Sequence, residues 1–267
     1  MDHLDYLENK SIYTIREAYA QHPISALLWS IGKDSTALLW LCRKAFLGKL
    51  PFPVLHIDTS YKFKEMYEQR DRLVKKWGLN LLVAKNEEAL EKGMSPEKEG
   101  RLNCCTALKT KALQNTIKEK GFDAIFLGIR RDEHGIRAKE RVFSPRNDDF
   151  QWDYKNQPME VWEQYGKGRE EDHHIRIHPL LDWTELDIWL YTRREKLPSV
   201  KLYYAKQKKR FRSIGCERCC SPVESSAQNI DQIIKEIRET NISERAGRAQ
   251  DKESAFMMQK LRSLGYM

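Results

Sequence analysis

The stretch "ISALLWSIGKDSTALLWLC", residues 24–42, sets the reading of the whole chain. An apolar run, "ISALLW" (24–29), meets a polar turn, "SIGKDST" (30–36), and a second apolar run, "ALLWLC" (37–42), follows. A short run bounded by a glycine-bearing turn is the pattern of a buried strand entering a helix. In a parallel sheet such a turn aims its backbone N–H groups beyond the strand's C-terminal end, where the next helix adds its positive dipole. An anion belongs at that point. Gly32 admits close backbone approach, Lys33 supplies a mobile positive charge, and Ser30, Ser35 and Thr36 offer hydroxyls, while Asp34 can orient a metal or brace the turn. A capped turn with an incidental lysine is the competing reading of these residues. The Walker spacing is absent, since only Ile31 separates Ser30 from Gly32.

Four more short apolar runs follow: "FPVLHID" (52–58), "LNLLVA" (79–84), "DAIFLGI" (123–129) and "HIRIHPLL" (174–181). Helical periodicity opens the chain through Leu4, Leu7, Ile12, Ile15 and Ala18, and recurs over residues 36–46, 64–77, 107–120 and 230–239. Asp182 and Thr184 are cap candidates for a further helix in "DWTELDIWLYTRREK". Buried runs alternating with helices predict an α/β fold with a doubly wound parallel sheet over residues 1–200, and a basic, cysteine-bearing, mostly helical C-terminal extension over 201–267. Residues 130–158 are charge-dense and aperiodic, and read as a long loop.

The 267 residues are 40% hydrophobic, enough for one substantial core. No run approaches the ~18 apolar residues of a membrane span, and the acidic N-terminus is unlike a signal peptide, so the expected compartment is the cytoplasm. Lys and Arg number 47 against 39 Asp and Glu, leaving +8, a balance that favours polyanionic partners such as nucleotides or nucleic acid. In a reducing compartment the six cysteines read as a metal or redox set rather than as disulfides.

Five segments together, "SIGKDS", "LPFPVLHIDTSYKFKEMYEQRDR", "RRDEHGIRAKERVFS", "WTELDIWLY" and "SERAGR", resemble the CysD-like small subunits of bacterial ATP sulfurylase within the phosphoadenylylsulfate reductase family. The resemblance implies an adenine nucleotide alpha-hydrolase-like, Rossmann-type three-layer fold that splits ATP between its α and β phosphates, assisted by Mg²⁺. It implies that Ser30, Gly32, Lys33, Asp34, Ser35 and Thr36 bind the β and γ phosphates and that Asp58 sits near the nucleotide. Lys33, Asp34, Arg130 and Arg131 are then catalytic, and Arg137, Lys139 and Arg141 bind the attacking anion, with solvated surface the competing reading for those three.

The cysteines depart from that family. Cys104-Cys105 and "GCERCCSP" resemble the four-thiolate ligation of a [4Fe–4S] cluster in assimilatory adenylylsulfate reductases, which makes Cys104, Cys105, Cys216 and Cys219 the expected ligands, of a cluster or of zinc, and leaves Cys220 as a possible sulfur relay. Cys42 reads as core. His174 and His178 on one strand stand ~13 Å apart and do not share a metal; His173 adjoins them.

Three enzymatic functions compete. The cysteine set favours a sulfur-transfer enzyme of DNA phosphorothioation, resembling the SspD and DndC proteins, with DNA and a cysteine desulfurase or other sulfur donor as partners. The basic run "KQKKRFR" (206–212) fits a nucleic-acid substrate. The alternative is an ATP sulfurylase small subunit working with a GTPase subunit. A reductase is weaker, because no cysteine follows Cys220 to act as its nucleophile. A nucleotide-binding scaffold is the non-enzymatic reading, and a homo- or hetero-oligomer is expected.

Overall fold

The computed structural model describes residues 1–155, 157, 159–160, 165, 174–249 and 256–266. Six strands form one sheet: β1 (Ser25–Leu28), β2 (Val54–Ile57), β3 (Leu81–Ala84), β4 (Ala124–Phe126), β5 (Phe143–Arg146) and β6 (His174–Ile177). Their order is β3-β2-β1-β4-β6-β5, and every pairing is parallel except β5 with β6. Every residue of β1, β2, β4 and β6 is buried; β1 and β4 read as apolar runs accordingly, whereas β2 buries His56 and β6, "HIRI", buries His174 and Arg176.

The flanking helices are α1 (His3–Gln21), α2 (Lys33–Ala45), α3 (Lys64–Trp77), α4 (Glu87–Glu91), α5 (Pro96–Cys105), α6 (Ala112–Lys120), α7 (Glu185–Arg194), α8 (Ile230–Glu239) and α9 (Met257–Ser263). Helix α1 packs on α2, α2 on α7, and α7 on α8. Thr184 caps α7 in a reciprocal box with Asp187, as its sequence predicts. Asp182 instead pairs with Lys10 and Arg131. A short ribbon joins Lys209–Arg210 to Val223–Glu224, and Tyr203, Ile214, Ala227, Ile233 and Ile234 continue the main core into the C-terminal region. No helix among the described residues is long and apolar enough to cross a membrane.

Two segments differ from the sequence expectation. The supposed loop at 130–158 contains strand β5, "FSPR", whose polar residues hide it. At a sheet edge Pro145 is tolerated, and Arg146 is buried beside Glu140 and the Ser144 hydroxyl. The helix expected from 107 begins earlier, after Gly100, whose backbone (φ 75, ψ 161) breaks α5, and passes into α6 through a π-helical segment, Thr106–Lys111, immediately after the Cys104-Cys105 pair. One extra residue per turn there rotates the chain beyond the cysteines.

Candidate active site

The turn after β1 lies at the C-terminal edge of the sheet, where β1 and β4 are neighbours. Ile31 is left-handed (φ 66), an unusual conformation for a β-branched residue, whereas Gly32 has an ordinary extended backbone. Gly32 matters for space: a Cβ would lie 3.3 Å from the Ser30 Oγ and 3.5 Å from the Tyr203 hydroxyl. Gly128, just past β4, is tighter still, since a Cβ there would meet the Asp34 carbonyl group and the Ser35 Cα at 3.1 Å. The absence of a side chain at 128 therefore allows the start of α2 to lie against β4.

A cleft of about 840 Å³ opens at this edge. Ser30, Gly32, Lys33, Asp34 and Ser35 line one side, with Gly128 and Tyr203. Lys62, Lys109, Arg137, Arg245 and Arg248 bring five further cations, against the single additional carboxylate of Glu133. Glu133 pairs with both Arg137 and Arg245. Burial first, then the nearby Arg245, Arg262 and Arg130, hold the Arg137 guanidinium well below its ordinary value. Lys62, Lys109 and Arg248 have no carboxylate in ion-pair reach among the described residues. Lys109 donates to the Tyr266 hydroxyl at 3.3 Å, and Arg248 donates to the Ser213 hydroxyl, the Ile214 carbonyl and the Cys220 sulfur. A concave, mostly positive surface of this kind concentrates polyphosphate anions.

The loop is braced from behind. Lys33 Nζ donates to Asp34 at 3.0 Å and to Glu244, and its backbone N–H donates to the Tyr203 hydroxyl at 2.9 Å. Arg130 is wholly buried and ion-paired with Asp34, Asp132 and Glu244. Burial opposes the charge of Glu244, but Arg130 and Lys33 outweigh it and hold the carboxyl well below the usual range.

The residues expected from sequence thus divide. Ser30, Gly32, Lys33, Asp34, Ser35 and Arg137 share the cleft. Thr36 is buried and accepts from the Trp29 indole at 3.1 Å. Asp58 follows β2 at the same sheet edge, where burial raises its carboxyl but the Tyr67 hydroxyl, the Ser60 N–H, Lys85 and His56 together hold it below the ordinary value; it does not line the cleft. Arg130 lies beneath the loop and Arg131 pairs with Asp182. Lys139 is exposed over the Tyr154 ring, and Arg141 is half-buried with its carbonyl bonded to His178, so neither joins Arg137 in the cleft. His178 is committed to that bond, and His173 lies outside the described residues.

Cys104, Cys105, Cys216 and Cys219 line a second cavity of about 260 Å³, and Lys109 lines both cavities. Burial, then Cys105, pushes Cys104 up to about 12. Cys219 rises to about 11, chiefly by burial. Burial also works against ionisation of Cys216, yet Lys109, Lys62 and the 3.2 Å Thr59 hydroxyl contact bring it down to about 7. Among the described residues no three His, Cys, Asp or Glu side chains are placed to hold a metal ion. Zinc requires four donors about 2 Å from one point. What the four thiols share is the wall of one cavity. Cys220 lies outside this cavity, its sulfur accepting from Arg248 at 2.9 Å, and Cys42 is fully buried in the core.

Residues 24–222 match the family described as the phosphoadenosine phosphosulfate reductase domain. The chain belongs to the phosphoadenosine phosphosulfate reductase family. It is 41% identical to the sulfate adenylyltransferase subunit 2 of Saccharophagus degradans, covering all of this chain and 98% of that one. It is 42% identical to the protein of the same name from Pseudoalteromonas translucida, covering all of this chain and 99% of that one. Among solved structures, a phosphoadenylyl-sulfate reductase from Candida auris superposes with TM-score 0.57 at 18% identity, covering 84% of this chain and 97% of that one. The FMN adenylyltransferase of Candida glabrata in complex with ATP gives 0.56 at 17%, covering 82% and 63%. At those identities the structures show a shared α/β fold, and the relatives of this family member show that it is an enzyme acting on ATP.

Proposed function

We propose that this chain is the ATP-splitting subunit of a sulfate-activating adenylyltransferase. The acceptor oxyanion attacks the α-phosphorus of ATP, the bond from that phosphorus to the bridging oxygen breaks, and pyrophosphate leaves with the electron pair. Ser30, Gly32, Lys33 and Ser35 hold the β and γ phosphates. Lys62, Lys109, Arg245 and Arg248 gather the acceptor and the charge that builds on the transferring phosphorus. Both Asp34 oxygens are engaged by Lys33 and Arg130, so Mg²⁺ belongs to the substrate, arriving with the triphosphate. The observation that carries the acceptor is identity above 40% across the whole chain with proteins named sulfate adenylyltransferase subunit 2. A numbered subunit implies a partner, and the GTPase subunit fits that place. Sulfate-dependent pyrophosphate release, reconstituted with such a partner, tests the reading; pyrophosphate release indifferent to sulfate contradicts it.

The basic run supports this order of preference over phosphorothioation. Of its five cations, Arg210 is buried against Glu236 and Arg212 against Glu185, so only Lys206, Lys208 and Lys209 face solvent. Three lysines make a weak nucleic-acid footprint.

One observation keeps the sulfur-transfer reading as a second: four thiols around a cavity that shares Lys109 with the ATP cleft. Cys104, Cys105, Cys216 and Cys219 would hold a [4Fe–4S] cluster there, which supplies a centre for handling sulfur or electrons. DNA phosphate would then be the acceptor and a cysteine desulfurase the sulfur donor. Anaerobic purification with iron and sulfide assays separates the two. Iron-free protein active on sulfate removes the second reading, and iron-bearing protein active on DNA removes the first.

A further inference from the structure

Glu244 and Arg130 do not line the cleft, yet they form its foundation. One Glu244 oxygen accepts from Lys33 Nζ and the other from Arg130 Nη2. Asp34 repeats the arrangement, accepting from the same lysine and pairing with the same arginine. Two cations and two carboxylates thus close a ring. Its Lys33, Arg130 and Glu244 side chains are 2%, 0% and 7% exposed.

Glu244 also begins the turn Glu244–Gly247, and the same turn delivers Arg245 and Arg248 to the cleft. The far end of that turn is held by backbone: the Ser221 N–H donates to the Gly247 carbonyl at 2.8 Å, and Cys220 bridges Arg248. A Cβ at Gly247 would fall 2.3 Å from the Ser221 carbonyl oxygen, so the two strands of backbone lie as close as glycine permits. The near end is held by the Glu244 carboxylate.

We infer that Glu244 is a positioning residue of this site: its carboxylate locks the loop lysine and sets the register of Arg245 and Arg248 against the loop. The inference rests on the reading that ATP is split here. Because Lys33 and Arg130 are matched by Glu244, Asp34 and, on Arg130, Asp132, the ring adds no net attraction for ATP, and that attraction falls to Lys62, Lys109 and Arg248. Glu244 therefore acts on geometry. A long lysine stem that is free to rotate loses the fixed placement that a transferring phosphoryl group requires.

The test compares wild type, Glu244→Gln and Glu244→Asp by ATP titration, by pyrophosphate release with sulfate, and by the rate at which an amine-acylating ester modifies Lys33. For Glu244→Gln the expected result is turnover lower by about 100-fold, ATP affinity nearly unchanged, and faster acylation of Lys33, with Glu244→Asp recovering part of the turnover. Tighter ATP binding with undiminished turnover overturns the inference, since Glu244 would then compete with phosphate. A lower melting temperature with normal turnover per folded molecule also overturns it. Should Glu244→Gln not fold, wild-type turnover in Glu244→Asp overturns it and an intermediate rate supports it. Wild type that binds no ATP refutes the ATP reading alone; the acylation rates still decide whether Glu244 restrains Lys33.

Discussion

The Lys33 ammonium and the Glu244 carboxylate, 211 residues apart in the chain, form a hydrogen-bonded ion pair almost wholly removed from solvent. The pair joins the first motif of the sequence to the last. It also explains how a loop of hydroxyls, one glycine and one lysine keeps a defined shape before any phosphate arrives.

Lys33→Ala removes the one loop cation that faces the cleft, and it leaves Glu244 and Asp34 with Arg130 as their shared partner. Pyrophosphate release is expected to fall by about 100-fold or more, the scale of losing one preorganised charge at a reacting centre. Because the thiol cavity is built from other residues, any iron content stays unchanged. Loss of iron along with activity would show that the two sites are not separable.

The depressed carboxyl of Glu244 has a signed consequence for stability. Its folded value lies below the ordinary 4.5, so the stabilisation it gives is complete above pH 4.5 and is lost as pH falls below that value. Breaking one partner of a buried pair costs about 3 kcal/mol. Glu244→Gln is therefore expected to be less stable than wild type at pH 7, with the gap narrowing progressively below pH 4.5. Denaturant titrations at pH 7, 4 and 3 measure it; a constant gap would remove Glu244 from the ionised network.

Gly128→Ala places a methyl 3.1 Å from the Asp34 carbonyl group and the Ser35 Cα, atoms of backbone that have little freedom to yield. Overpacking of this kind costs about 1–3 kcal/mol. The displaced start of α2 carries Lys33 with it, so turnover falls beyond what the melting temperature accounts for. Equal turnover per folded molecule would show that the close approach serves packing alone.

Cys104→Ser or Cys219→Ser tests the second cavity. If the four thiols hold a cluster, either substitution lowers iron and sulfide in anaerobically purified protein while ATP binding persists. Iron content equal to that of wild type takes the residue off the ligand set.

The parts of the fold legible in sequence are those where burial is one-sided and local. Residues 24–42 betray a strand, a turn and a helix because apolar runs meet at Gly32, and Thr184 with Asp187 announces its own capping box. Strand β5 was hidden because Ser144, Pro145 and Arg146 look solvated, although Arg146, Glu140 and Arg262 are all buried together. The site shows the same division. Lys33 and Asp34 are read from their turn, whereas Lys62, Tyr203 and Glu244 reach it only through tertiary folding. One weak signal bears on the others: Arg245 and Arg248 stand three apart in "SERAGR". Lys139 and Arg141 stand beside Arg137 in the resembling segment, and the sequence does not say which of its charges face inward.

On the proposed reading ATP is cleaved between its α and β phosphates at the cleft beside Lys33. The decisive measurement is exchange of labelled pyrophosphate into ATP in the presence of sulfate, by wild type and by Lys33→Ala. Sulfate-dependent exchange that disappears in Lys33→Ala is the expected result. Formation of ADP and phosphate, or exchange that survives the loss of Lys33, would contradict it.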